Sequence, residues 1–192
     1  MGNELFGIVL VVGTIFAGGI LAIHDAAYGN QIDNPGFVVY SLDQGPYPSG
    51  WYPVSKTGDG ECKVVNDSYE GRTAASVRLN QTLKTNWTDS SGLPGWEAKT
   101  RNFYLNTGEL YCMRLYYKAD VESALYAVAR RPNDSTRQYE ETSYLLGIVP
   151  PAANWTLYVS PVFLGIENCV SVRQVIRSKG TLTTDAWDFR RL

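Results

Sequence analysis

Five asparagines of this 192-residue chain stand in the triplet Asn-x-Ser/Thr: Asn66, Asn80, Asn86, Asn133 and Asn154. The chain holds 11 Asn and 27 Ser plus Thr. Chance pairing of those numbers gives roughly 1.5 such triplets, so the excess predicts N-glycosylation. All five lie in the C-terminal body, which is therefore expected to face away from the cytoplasm. The other chemistry-bearing side chains are sparse. The one histidine, His24, lies outside that body, so a Ser-His-Asp or Cys-His arrangement has no base there. Glu140-Glu141 and Asp185 with Asp188 supply acids, but no spacing distinguishes them from solvated surface carboxylates. No phosphate-cradling glycine loop or dinucleotide fingerprint occurs. The expectation is a chain that is not an enzyme.

Cys62, Cys112 and Cys169 match no metal-ligand spacing. In an oxidising compartment three cysteines make one disulfide and one spare thiol. The sequence does not fix which two pair; the pairing preferred is Cys112–Cys169, with Cys62 buried and unpaired. Net charge is −2 and the basic residues are scattered, which argues against a nucleic-acid partner.

These residues must be carried by two unlike parts. Leu5 to Ile23 is a run of 19 residues without a charged side chain. As an α-helix it would span ~28 Å, close to the ~30 Å hydrocarbon core of a bilayer. It is apolar all round, where a soluble core helix would show a polar stripe. A cleaved signal, a retained single-pass anchor and a helix packed with its own copies in a filament or envelope all fit such a run. The preceding Met1-Gly2-Asn3-Glu4 lacks the basic residues of a signal peptide, so retention is expected. Gly13 with Ala17 and Gly18 with Ala22 are small-xxx-small pairs that permit close helix–helix contact. The division expected is a hydrophobic helix over 1–27, a polar linker over 28–36 and an outer domain over 37–192.

That domain, rich in Tyr and Trp, reads as strands. Alternation predicts them at Phe37–Tyr40, Cys62–Asn66, Ala75–Leu79, Glu109–Lys118, Ala124–Arg130, Thr142–Ile148, Thr156–Phe163, Cys169–Ile176 and Leu182–Phe189. Residues 84–100 are polar and turn-rich and predict a long surface excursion. In Glu109–Lys118, Tyr111, Met113, Leu115 and Tyr117 share one face and Leu110, Cys112, Arg114 and Tyr116 the other. The class expected is mainly β: an antiparallel jelly-roll β-sandwich preceded by one hydrophobic α-helix.

Several pieces, in order, resemble the jelly-roll carbohydrate-binding modules of the galactose-binding-domain-like type. They are Asn34-Pro-Gly-Phe37, Gly50-Trp51, Tyr69-Glu-Gly71, Ser76-Val-Arg-Leu79, Gly108 to Ala119, Trp155-Thr-Leu-Tyr158 through Phe163, and Gly180-Thr-Leu-Thr-Thr-Asp185. The resemblance covers residues 33 to 192. It implies a structural calcium, but here Val38 and Ala186 stand where the family often has acids, leaving Asp185 as the candidate ligand. It also implies sugar rings stacked on aromatic faces. Trp51, Trp87, Trp96 and Trp155 are available, and Trp87 and Trp155 lie inside sequons. Packing in the core or under a glycan is expected of each except Trp96, which, in its polar loop, is the candidate platform.

Two functional readings follow. One is a structural or adhesive subunit of a cell surface, extracellular filament or virion, assembled with copies of itself through its helix; the helix followed by a β-rich head is pilin-like in architecture only. The other is a membrane-tethered module that binds glycans.

Overall fold

A computed structural model describes residues 30, 32, 47–54, 60–69, 71, 73–88, 90, 92–100, 105, 107–133, 135–136 and 138–192. The hydrophobic segment with Gly13, Ala17, Gly18 and Ala22, and the strand expected at Phe37–Tyr40, lie outside these residues. Among the described residues there is no helix, and eleven strands follow one another: β1 (Trp51–Val54), β2 (Gly60–Val65), β3 (Ala74–Leu79), β4 (Gly95–Lys99), β5 (Leu110–Ala119), β6 (Ser123–Asn133), β7 (Gln138–Val149), β8 (Ala152–Val159), β9 (Phe163–Leu164), β10 (Cys169–Ile176) and β11 (Gly180–Arg191). They form two antiparallel sheets. One has the order β1-β4-β10-β6-β7, the other β2-β3-β11-β5-β8 with β9 also on β5.

The period-two pattern decides which face each sheet buries. In β5, Tyr111, Met113, Leu115 and Tyr117 are buried, whereas Leu110 is exposed and Cys112, Arg114 and Tyr116 are half-buried. This is the division the alternation predicts. Val77, Leu79, Met113, Leu115, Leu182 and Phe189 meet Trp51, Trp96, Ala98, Leu125, Val172 and Ile176 from the opposite sheet. Trp51 and Trp187 join the layers edge to face, with ring centroids 4.7 Å apart.

Trp187 reaches that position because β11 carries a bulge. Its register against β5 shifts between Asp185 and Asp188, and Ala186 takes a left-handed φ of 48°. The Trp187 indole N–H donates to Thr184 Oγ1 at 2.6 Å. Asn30 closes the other edge: its Nδ2 donates to the Trp187 carbonyl at 2.6 Å, and its Oδ1 accepts from Phe189 N at 3.0 Å. Ile32, assigned to a polar linker by the sequence, is fully buried and bridges to Thr100.

Residues 84–100 are not one surface excursion. Residues 95–99 form β4, interior to its sheet between β1 and β10. Polar flanks hid it, because Glu97 and Lys99 alternate with Trp96 and Ala98. Trp96 is accordingly no open platform: it is fully buried and donates its indole N–H to the Ser76 carbonyl across the core at 2.9 Å.

The expected Cys112–Cys169 bridge is not formed, and all three cysteines are free thiols. Cys169 packs in the core from one sheet, while Cys112 lies on the outward face of the other, so a layer of sheet separates them. Burial pushes the Cys169 thiol up to about 12 and the Cys62 thiol to about 11. Two outcomes follow. The unreduced, denatured chain should titrate three thiols with a colorimetric disulfide reagent, against one for a bridged chain, and the folded chain should react slowly at Cys169 and Cys62. Trp96→Ala should lower stability by about 3–5 kcal/mol in chemical denaturation, the cost of a large core deletion.

Candidate functional site

The outward face of the five-stranded sheet carries charge where a sandwich usually meets water, and that charge is buried. Glu97 on β4 and Arg173 on β10 are register partners. They are 6% and 3% exposed. Arg173 Nη2 and Nε donate to Glu97 Oε2 at 2.6 and 3.1 Å. The second Glu97 oxygen accepts from Ser171 Oγ at 2.5 Å and Arg130 Nη2 at 3.1 Å. Arg173 Nη1 reaches across β6 to Glu141 Oε1 and to Ser90 Oγ, both at 2.8 Å, and Arg130 also holds Glu141 at 3.2 Å. Two guanidiniums thus neutralise two carboxylates.

Leu83, Trp87, Ser90 and Leu93, between β3 and β4, cover one end of this network. Leu93, with Leu83 and Trp87, packs on Ala124, Tyr126 and Val175, a second small apolar cluster outside the sheet. Trp87 is held by its N–H to Glu122 at 3.0 Å and by the Arg177 guanidinium 4.4 Å from its ring centroid. Desolvation here would push Glu141 up, but the hydrogen bonds and charges of Arg173 and Arg130 outweigh it and hold the carboxyl below its ordinary value of 4.5. Burial would lower Arg173, and Glu97 with Glu141 outweigh that to raise it.

At its other end the network opens into a cavity of about 500 Å³ lined by Lys99, Thr100, Arg130, Pro132, Tyr139, Asn168 and Val170. Tyr139 is 74% exposed. Lys99 Nζ lies 4.9 Å from the Tyr52 ring centroid. Asn168 turns the chain into β10 with a left-handed φ of 58°, a conformation asparagine tolerates. The result is a groove with the Tyr139 ring, the Lys99 ammonium, the Asn168 amide and the Arg130 guanidinium in its lining, Arg130 being held from behind by Glu97 and Glu141. It suits a polyhydroxylated ligand held by hydrogen bonds and ring stacking. Arg173 and Arg130 hold Glu141 as a carboxylate, which makes it a poor general acid.

The remaining sequence-predicted positions scatter. Asp185 is fully buried, its Oδ2 accepting from Tyr69 N at 2.9 Å and its Oδ1 from Ala186 N at 2.7 Å. Among the described residues no group of three or more His, Cys, Asp or Glu gathers to hold a metal. Asp185 serves instead to clamp the β2–β3 connection onto the bulge of β11. Asn66, Asn80, Asn86 and Asn154 are exposed; Asn133 is half-buried, its Oδ1 accepting from Ser135 N at 3.0 Å and its amide donating to Glu140. Lys99 and Thr100 were missed because β4 was read as loop, and Arg130, Tyr139 and Asn168 because only the sheet order brings them to the same groove. The available signal was the alternation of Glu97 and Lys99 with Trp96 and Ala98.

No protein-family model matches the chain, and no curated protein matches it in sequence. Solved structures do match in fold. A candidate sugar-binding protein from Bacteroides thetaiotaomicron superposes with a TM-score of 0.58 at 12% identity, over 85% of this chain and all of that one. The N-terminal endo-1,4-β-D-xylanase modules of Clostridium thermocellum, a family 22 carbohydrate-binding module joined to a glycoside hydrolase module and complexed with xylohexaose, give 0.55 at 15% identity. That match covers 85% of this chain but 28% of the xylanase chain. The enzymatically active domain of tailspike protein 4 from bacteriophage CBA120 gives 0.52 at 11% identity, over 85% of this chain and 21% of that one. At these identities the likeness is one of fold, an antiparallel β-sandwich shared with a carbohydrate-binding module and a candidate sugar-binding protein.

The ionic network makes its own prediction. Arg173→Met leaves Glu97 buried without its main partner and should cost about 3–5 kcal/mol in urea denaturation at neutral pH. Because Glu141 is held below 4.5 in the folded chain, its contribution is complete above that pH and drains away as pH falls through the lower folded value. Glu141→Gln should therefore flatten the acid limb of the stability–pH curve.

Proposed function

We propose that the chain is a non-catalytic, surface-displayed head that binds glycans through the Tyr139 groove. In this reading residues 5–23 hold it in a membrane or in the core of an assembly of its own copies, and its exposed sequons carry N-glycans. One observation carries the binding role: a groove of about 500 Å³, with Tyr139 74% exposed beside Lys99 and beside Arg130, which ion pairs to Glu97 and Glu141 hold in place. Arg130 meets a ligand already ordered, which favours affinity. The fold shared with a carbohydrate-binding module crystallised with xylohexaose supports the same ligand class. The apolar run Leu5–Ile23 supports display at a cell, filament or virion surface.

The reading is tested by affinity electrophoresis of the full chain through soluble polysaccharides, beside a glycan array. Retardation by at least one polysaccharide is expected, with Tyr139→Ala weakening it about tenfold, or ~1.4 kcal/mol. Wild-type chain that ignores every polysaccharide would leave only the structural-subunit role. Co-flotation with liposomes tests the display, and a mass loss on glycan removal tests the sequons.

A further inference from the structure

The outward face of the six-stranded sheet holds an aromatic cluster that the groove does not use. Tyr69, from the β2–β3 connection, lies flat on Tyr116 of β5, with ring centroids 3.5 Å apart and 10° between planes. Trp155 of β8 stands beside them, 6.3 Å from Tyr69 and tilted by 57°. The stacked tyrosines and the indole make the two walls of a V. Tyr69 remains 41% exposed. Lys118 closes one end, with Nζ 5.4 Å from the Trp155 ring centroid, and is paired to Asp67. Past Lys118 the face opens into a cavity of about 480 Å³ lined by Asp120, Ala152, Ala153, Thr181 and Thr183.

Core packing does not call for this arrangement, because Tyr116 and Lys118 occupy the outward positions of β5. It is also held in advance. Asp185, fully buried, fixes the Tyr69 backbone at 2.9 Å, and Asp120 Oδ1 accepts from Thr181 N at 2.5 Å. A pyranose has an apolar C–H face and a rim of hydroxyls. Aromatic walls suit the first, and a carboxylate, an ammonium and threonine hydroxyls suit the second. The adjoining cavity, which Lys118 shares with the cluster, has a volume within the ~300–1,000 Å³ of small-ligand sites. Asp67 offsets Lys118, so the cluster favours a neutral sugar over an acidic one.

We infer that Tyr69, Tyr116 and Trp155 form a second carbohydrate site, for a neutral pyranose chain, on the face opposite the Tyr139 groove; the choice of ligand class rests on the glycan-binding reading of the chain. One head then engages two glycan strands at once, a bivalent arrangement that raises avidity without new contacts.

The test uses the full chain in detergent, with xylohexaose and cellohexaose as probes in titration calorimetry. Wild type should bind two equivalents of at least one probe, and Tyr139→Ala one. Trp155→Ala on the Tyr139→Ala background should weaken what remains at least tenfold while keeping the Asn154 sequon. Tyr69→Ala serves as the second variant should the tryptophan change disturb folding. Asp185→Asn, acting on Tyr69 through its backbone, should weaken the same phase and leave the groove phase unchanged. If Tyr139→Ala abolishes all binding, the second site is overturned and the groove stands. If wild type binds neither these probes nor any polysaccharide, both fall. If enzymatic removal of N-glycans makes Trp155 markedly more accessible to a soluble quencher, the V holds the chain's own glycan and the inference is overturned.

Discussion

A guanidinium taken out of water must be met on every side, and Arg173 imposes that demand on half the molecule. It lies 3% exposed on the outside of its sheet. Glu97 meets it from the neighbouring strand, Glu141 from across β6, and Ser90 from the connection laid over the face. Each partner fixes something else. Glu97 sets the register of β4 against β10, Glu141 draws the long β7 edge inward, and Ser90 pins the β3–β4 connection beside its apolar cluster. The arrangement costs more desolvation than an apolar patch of the same volume would. In return it gives a network with one geometry, and Arg130 carries that order to the edge of the groove.

The opposite sheet solves a related problem with a carboxylate. Asp185 is buried at a bulge, where two backbone amides satisfy it, and one of them belongs to a residue 116 positions away in sequence. The bulge also turns Trp187 inward against Trp51. One local irregularity in β11 therefore serves core packing on one side and loop placement on the other. Ala186 adopts the left-handed conformation the bulge requires, though it lacks the freedom of glycine.

Much of this was legible in the sequence and some was not, for identifiable reasons. Strong alternation announced β5, β10 and β11 almost to their ends, because one face of each is core. The strand expected at Thr156–Phe163 breaks at Ser160 and Pro161 into β8 and β9. β4 escaped notice because its outward residues are charged and it is flanked by Ser, Gly and Pro. A buried ion pair looks, in sequence, like a solvated surface. For the same reason Glu141 read as ordinary, and Trp96 as exposed. The Cys112–Cys169 pairing failed on facing, which depends on how two sheets are layered and which no spacing reveals. Asp185, the candidate ligand, accepts from one backbone amide of the β2–β3 connection and one of its own strand, a pairing across 116 residues that no local pattern announces.

The clasp at Asn30 has a mechanical meaning. Tension arriving along the chain from its N-terminal side enters the sandwich at two neighbouring points: the side-chain amide seated on β11 and the Ile32 bridge to Thr100. These belong to different sheets, so a load is divided between both layers rather than peeling one strand from an edge. Several hydrogen bonds must then give way together before a pull at Asn30 opens either layer.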